Sequence, residues 1–451
     1  MTRGVQALVV AGCAVPLLVL LLRRRRQRRK DAALEAWAVA RGARPGENIA
    51  PLPKRPSDLK EAHCEVLASS PLMGQDKWLG GVASFCGRYI YGVPGSSKVV
   101  LRITIETGEV DFFGGPFEGR FKWLRGAESP MNGCLYCMPS NADTVLRIDP
   151  GKQEATTIGG PFPGDWKWHG GNLGNDGNIY GIPANAKVVM KIDPRTDEVT
   201  TFGGPFEGRQ KWYGGIKASN GAIYAIPQNG EGVLKITPET STAEIIGDVG
   251  SGGWKWHGGL AAGDGSIIYG IPCNTDTILK IDSKTDTVTL IGGGFKSGRH
   301  RDDDKYKYLG GGVAGDGKVY FFPSDAERVL CVDPKTDECK LVGPVFLHGM
   351  NKWQNGFSCR DGCVYAIPQR APGVLCIKPA PEGSTEDAEV SMLWCADGAE
   401  MKDKFEGGVM GADGCIYCIP LRSKEVMRIV PGPAISEASA QSGADFRNYH
   451  A

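Results

Sequence analysis

At 451 residues the chain is long enough for two or three ordinary domains, and its apolar content of 41% allows a substantial core. Net charge is +1, but eight of the 52 basic residues fall in residues 1–30 with no acid among them, leaving 44 against 51 acids in the rest. The remainder is mildly acidic, so composition carries no signature of nucleic-acid binding, and no nucleic-acid partner is expected.

The first segment, Gly4 to Leu22, is apolar except for Gln6. Nineteen helical residues span about 28 Å, enough to cross a bilayer core. The basic run Arg23 to Lys30 follows the apolar stretch, whereas a cleaved leader carries its charge before it. Residues 4–22 therefore read as a retained transmembrane anchor. The positive-inside rule puts the bulk of the chain in the cytosol. Which membrane is left open, as is the alternative of a leader into a secretory or organelle lumen. Residues 23–58 form a basic, Pro-rich linker with Pro45, Pro51, Pro53 and Pro56, which reads as an extended spacer after a short helix between Asp31 and Arg41.

From Lys77 onward one unit recurs. An aromatic after a lysine falls at Trp78, Trp123, Trp168, Trp212, Trp256, Tyr308, Trp353 and Phe405. A second marker, Tyr91, Tyr136, Tyr180, Tyr224, Tyr269, Tyr320, Tyr365 and Tyr417, keeps the same spacing. Two independent markers with one period define eight repeats. Each holds four strand-like runs; in the fourth they are Trp212–Lys217, Ala222–Ile226, Gly232–Ile236 and Ala243–Ile246. Turn pairs such as Asn220–Gly221 and Asp316–Gly317 supply positive φ for tight hairpins. Proline closes every second strand, where a ladder donor is no longer wanted.

Four-stranded antiparallel units of this length are propeller blades. The expected fold is all-β: an eight-bladed propeller over residues 59–431. The eighth unit runs into Pro431–Gly432–Pro433 and lacks a fourth strand, which His63–Leu67 can supply, closing the ring and removing open edges. Two insertions, Gly294–Tyr306 and Ala380–Ala388, read as surface loops, and residues 432–451 as a disordered tail.

The pattern Gly-x-Ile-Tyr-x-Ile-Pro followed by Val-Leu-x-Ile-Asp-Pro-x-Thr resembles the propeller repeats of the streptogramin-lyase, NHL and gluconolactonase-like group. The Lys-Trp-x-Gly-Gly variant resembles uncharacterised propeller proteins of algae and protists. The resemblance covers about residues 60–431 and implies the fold. Such propellers serve as enzymes and as scaffolds. Lyases and lactonases of related fold use a channel histidine with a carboxylate-bound metal, and no such motif carries over here residue by residue.

Fourteen cysteines form no compact framework and read as reduced thiols. Cys134-x-x-Cys137 and Cys415-x-x-Cys418 resemble half zinc sites, but strand positions three apart face opposite ways. The most regular polar feature is a lysine in each unit: Lys77, Lys122, Lys167, Lys211, Lys255, Lys307, Lys352 and Lys404. If the first strand is innermost, eight ammonium groups ring the axis and suit an anionic ligand. The competing reading packs each stem on an aromatic and pairs its head with an acid such as Glu118 or Glu207. The residue after the aromatic breaks the uniformity: Leu79, Leu124, His169, Tyr213, His257, Leu309, Gln354, Glu406. His169, His257 and Glu406 are the candidates for catalysis, and Tyr213 and Gln354 for ligand contact. Two functions follow: a membrane-anchored binding or scaffold module for a protein or anionic ligand, with no cofactor, or a metal-dependent lyase or lactonase with a channel site. The loop tips Phe117, Phe162 and Phe206 either fold back on the rim or meet a protein partner.

Overall fold

The computed structural model describes residues 36, 38–44, 46–53, 61–67, 72–381, 384, 386–395 and 403–435. The expected anchor at residues 4–22, most of the linker and the tail beyond Ile435 lie outside these. Among the described residues no helix is long and apolar enough to cross a membrane.

Eight four-stranded antiparallel sheets follow one another around a ring. Their inner strands are Trp78–Ala83, Trp123–Glu128, Trp168–Leu173, Trp212–Lys217, Trp256–Ala262, Tyr308–Val313, Trp353–Ser358 and Phe405–Met410. They define blades one to eight in chain order. The second strand of each is wholly or almost wholly buried and ends on proline, as in Ile179–Pro183. The fourth strand is half solvated and alternates, as in Glu198–Phe202. Apolar residues of adjacent blades merge into shared clusters. One joins Tyr224 and Ile226 of blade four to Trp256 and Leu279 of blade five.

Closure occurs as the repeats require. His63–Leu67 pairs antiparallel with Val426–Val430 in continuous register, from His63 opposite Val430 to Leu67 opposite Val426. The outermost strand of blade eight thus comes from the N-terminal side of blade one. Glu65 and Arg428 pair across this seam.

Two readings need correcting in part. The described piece of the spacer is not held away from the ring. Ile49 bridges Val345, Ala50 is buried, and the Ala50 N–H donates to the Val345 carbonyl at 2.9 Å. The first insertion is more than a surface loop. Its Arg299 is a bidentate clasp between Glu47 (2.8 and 3.0 Å) and Glu327 (2.7 and 2.8 Å).

Candidate functional site

Every inner strand carries the same irregularity. Its aromatic pairs with the proline of the second strand, but the register then slips before the glycine three residues on, as between Trp168 and Gly171. The slip recurs in all eight blades. A β-bulge leaves residues outside the ladder and re-aims their side chains. The two residues thrown out are the second and third of each inner strand, and they form two layers around the axis.

The third position sets the upper layer. It is Gly80, Arg125, Gly170, Gly214, Gly258, Gly310, Asn355 and Gly407. The bulge holds most of these at positive φ, for instance 76° at Gly170 and 68° at Gly214. Arg125 and Asn355 adopt the same left-handed backbone, with φ of 57° and 56°. An L-residue there is strained by about 1–2 kcal/mol, so two exceptions in a ring of glycines mark a site. The Arg125 guanidinium crosses the channel and donates to the Asn355 side-chain carbonyl at 3.5 Å. Glycine neighbours make room for both: a Cβ on Gly80 would stand 3.1 Å from Arg125 Cγ, and one on Gly407 would stand 3.1 Å from Asn355 Nδ2. Among the described residues no carboxylate forms an ion pair with Arg125.

The second position fills the lower layer. His169, Tyr213 and His257 form a tilted column, with ring centroids 3.7 and 3.8 Å apart and ring planes 38° and 35° to one another. On another side of the axis Leu79 and Leu124 pack with Leu421. Gln369 donates its side-chain amide to Gln354. Burial, aided by the charge of Arg125, holds His169 well below the ordinary imidazole range and His257 down to about 3. Burial raises the Glu406 carboxyl, with Arg125 opposing. The stack, the acid and the guanidinium therefore share one electrostatic environment.

Above these layers lies a chamber of about 400 Å³. Arg125, Asn355 and Glu406 line its base, Asn172 and Lys217 its wall, and Phe85 and Pro130 its mouth.

The sequence candidates distribute as follows. His169, Tyr213, His257, Gln354 and Glu406 do occupy the lower layer of the channel. His169 and His257 are separated by the Tyr213 ring. Among the described residues no three His, Cys, Asp or Glu side chains gather as a metal site. The thiols of Cys137 and Cys418 are buried, and burial pushes both upward. The eight lysines are elsewhere than the expected mouth. Each is almost fully buried or half-buried at a blade boundary, with its ammonium turned to backbone carbonyls. Lys122 donates to Gly95, Ser97 and Gly119 at 2.7, 2.9 and 3.1 Å, and Lys211 to Ala184, Ala186 and Gly208 at 2.8, 2.9 and 3.2 Å. Lys77, Lys167, Lys255, Lys307, Lys352 and Lys404 follow suit. Burial lowers Lys122 to about 8 and Lys352 to about 7. The acids expected beside them pair instead with exposed lysines: Glu118 with Lys98 and Glu207 with Lys187. Phe117, Phe162 and Phe206 fold back, each edge-on to the next blade's tryptophan at 5.2–5.3 Å.

Arg125 and Asn355 were not among the sequence candidates. The signal that finds them is the break in the Gly-Gly pair, which reads Arg125–Gly126 in the second unit and Asn355–Gly356 in the seventh.

Residues 85–249 match a family described as a repeat of unknown function (DUF6923). No curated protein sequence matches the chain. Among solved structures, virginiamycin B lyase from Staphylococcus aureus superposes with a TM-score of 0.50 at 13% identity, covering 68% of this chain and 94% of its own. A streptogramin B lyase structure superposes with a TM-score of 0.50 at 12% identity, covering 82% of this chain and 97% of its own. At such identities the likeness shows a shared propeller fold and nothing about activity.

Proposed function

We propose that the protein is a binding module whose propeller channel takes a small anionic ligand at Arg125, and that residues 4–22 tether it to a membrane with the propeller in the cytosol. One observation carries the ligand reading: Arg125 keeps a strained, and Asn355 a left-handed, backbone at a position where the other six blades use glycine, and they meet across the axis. Nothing in the ring's architecture requires them, since glycine builds the same bulge in most of the other blades. A guanidinium with a fork of donors that makes no ion pair among the described residues is suited to a carboxylate or phosphate. The ammonium groups of the eight lysines are already engaged by carbonyls, so the anion role passes from them to Arg125.

The metal-dependent lyase or lactonase reading has weaker support. Its histidines are held apart by Tyr213 and held neutral beside a cation, and the three-ligand set it needs is not gathered among the described residues.

Titration calorimetry with acetate and with inorganic phosphate tests the ligand reading. One-to-one binding of either anion, weakened at least tenfold in Arg125→Gly, is the expected result. Binding that ignores Arg125→Gly, or no binding of either anion, overturns it. For the tether, a chain lacking residues 1–30 should leave the membrane fraction; if it stays there, residues 4–22 are not the anchor.

A further inference from the structure

We infer that the channel ligand is amphipathic: a carboxylate headgroup seated at Arg125 with an apolar chain that leaves the chamber over blades one and two. The inference rests on the anion reading above and adds the ligand's other end.

The mouth of the chamber is lopsided. Of the hairpin turns between first and second strands, those of blades one and two line it, and the corresponding tips of the other six are small or polar: Asn175, Ser219, Asp264, Gly315, Arg360 and Ala412. Blades one and two differ. Blade one places Phe85 there, 65% exposed and lining the chamber. Blade two places Pro130, also on the chamber wall, followed by Met131 at 51% exposure. Met131 leans toward the next turn, where a Cβ on Gly177 would stand 3.3 Å from it. Phe85 and Pro130 give the cavity an apolar edge, or lip, on these two neighbouring blades, and the exposed Met131 follows Pro130 outside the lining.

The wall between base and lip continues the pattern. Val82, Leu173, Leu260, Phe357 and Met410 contribute apolar surface, interrupted by Glu128, Asn172 and Lys217. The headgroup position and the lip lie on the same two blades. Arg125 belongs to blade two and reaches over Gly80 of blade one, whose strand leads into the turn that carries Phe85. Three strand residues carry the chain from Gly80 to the strand end at Ala83, a rise of about 10 Å, and Phe85 stands two residues further on, in the turn. A bare carboxylate or phosphate cannot touch both ends. A ligand with several methylenes can, and each buried methylene favours binding by roughly fourfold.

The experiment compares acetate, decanoate and decylamine on the intact protein, on Arg125→Gly, and on the double variant Phe85→Ser/Met131→Ser. Phe85 and Met131 are exposed, so the fold should survive, which a thermal melt checks. Decanoate should bind at least tenfold more tightly than acetate. It should lose most of that gain in the double variant, and decylamine should bind weakly. Decanoate no tighter than acetate, with acetate still dependent on Arg125, overturns the amphipathic inference and leaves the anion reading standing. Tight decanoate binding untouched by Phe85→Ser/Met131→Ser overturns the exit over blades one and two. Binding of every probe unaffected by Arg125→Gly, or decylamine as tight as decanoate, overturns the anion reading itself.

Discussion

At the scale of the residue, the same side-chain type performs different work according to what its head can reach. The repeated lysines look like an anion ring in the sequence because a positive charge recurs once per blade. The backbone decides otherwise. The residue before each lysine has positive φ, from 49° at Gln210 to 53° at Tyr306 and Asp403, and this kink turns the strand start so that the ammonium faces carbonyls of the loop and of the preceding blade. Lys122→Met keeps most of the stem and removes the donors, leaving the carbonyls of Gly95, Ser97 and Gly119 short of a partner. The expected cost is about 3 kcal/mol, measured by denaturant unfolding, since unpaired buried acceptors are expensive. An unchanged midpoint would mean that water replaces the ammonium at no cost. Glu406 offers a second test at this scale. Burial raises its carboxyl, so it is neutral at acidic pH and becomes an anion beside Arg125 as pH rises. An anionic ligand then meets growing competition. Affinity for decanoate should therefore fall as pH rises above the ordinary carboxylate range, and Glu406→Gln should flatten the profile. A profile equally steep in Glu406→Gln would place the titrating group elsewhere.

At the scale of the element, much of the fold was legible. The four runs read in the fourth unit match Trp212–Lys217, Ile223–Pro227, Val233–Thr237 and Thr242–Ile246 within a residue or two. His63–Leu67 was legible as the closing strand because an eighth unit ending in Pro431–Gly432–Pro433 leaves a visible vacancy. The bulge was not. A one-residue slip in the inner strand leaves no trace in strand periodicity, and the Gly-Gly pair that permits it reads equally well as close strand packing. The residues it throws out were thus half found: His169, Tyr213, His257, Gln354 and Glu406 by their variability, Arg125 and Asn355 not at all. The contact between those two spans 230 residues, and no local pattern encodes it. The closing strand yields a prediction of its own. Removing residues 1–67 strips the outer ladder from Val426–Val430 and exposes the face that Leu67 covers, a loss of about 2 kcal/mol from that side chain alone. A chain lacking only residues 1–53 retains the strand. The shorter chain should melt earlier than the longer one and, unlike it, associate through its open edge during size-exclusion chromatography. Equal melting temperatures would mean that the ring closes without this strand.

At the scale of the whole molecule, near-symmetry is what makes the site recognisable. Eight copies of one bulge set a reference state in which glycine is the unstrained choice, and each departure from it can be weighed. In Arg125→Gly the left-handed strain of about 1–2 kcal/mol disappears, while glycine's extra freedom in the unfolded chain costs about 0.5–1 kcal/mol. The two nearly cancel, leaving a net gain of about 0.5 kcal/mol. Arg125→Ala separates strain from side-chain loss, because alanine keeps the Cβ at φ 57° and discards the guanidinium. The glycine variant should therefore be the more stable of the two by about 1 kcal/mol, and both should lose the anion. If alanine equals or exceeds glycine in a denaturant melt, the bulge tolerates side chains freely and Arg125 is no longer a costly exception. If glycine wins and binding goes with it, stability and binding are opposed at this position, as expected where a ring of structural glycines gives up two members to a ligand. Asn355→Gly should show the same opposition more weakly. Its short amide tolerates the left-handed region, and the carbonyl it offers to Arg125 positions the guanidinium without itself supplying charge.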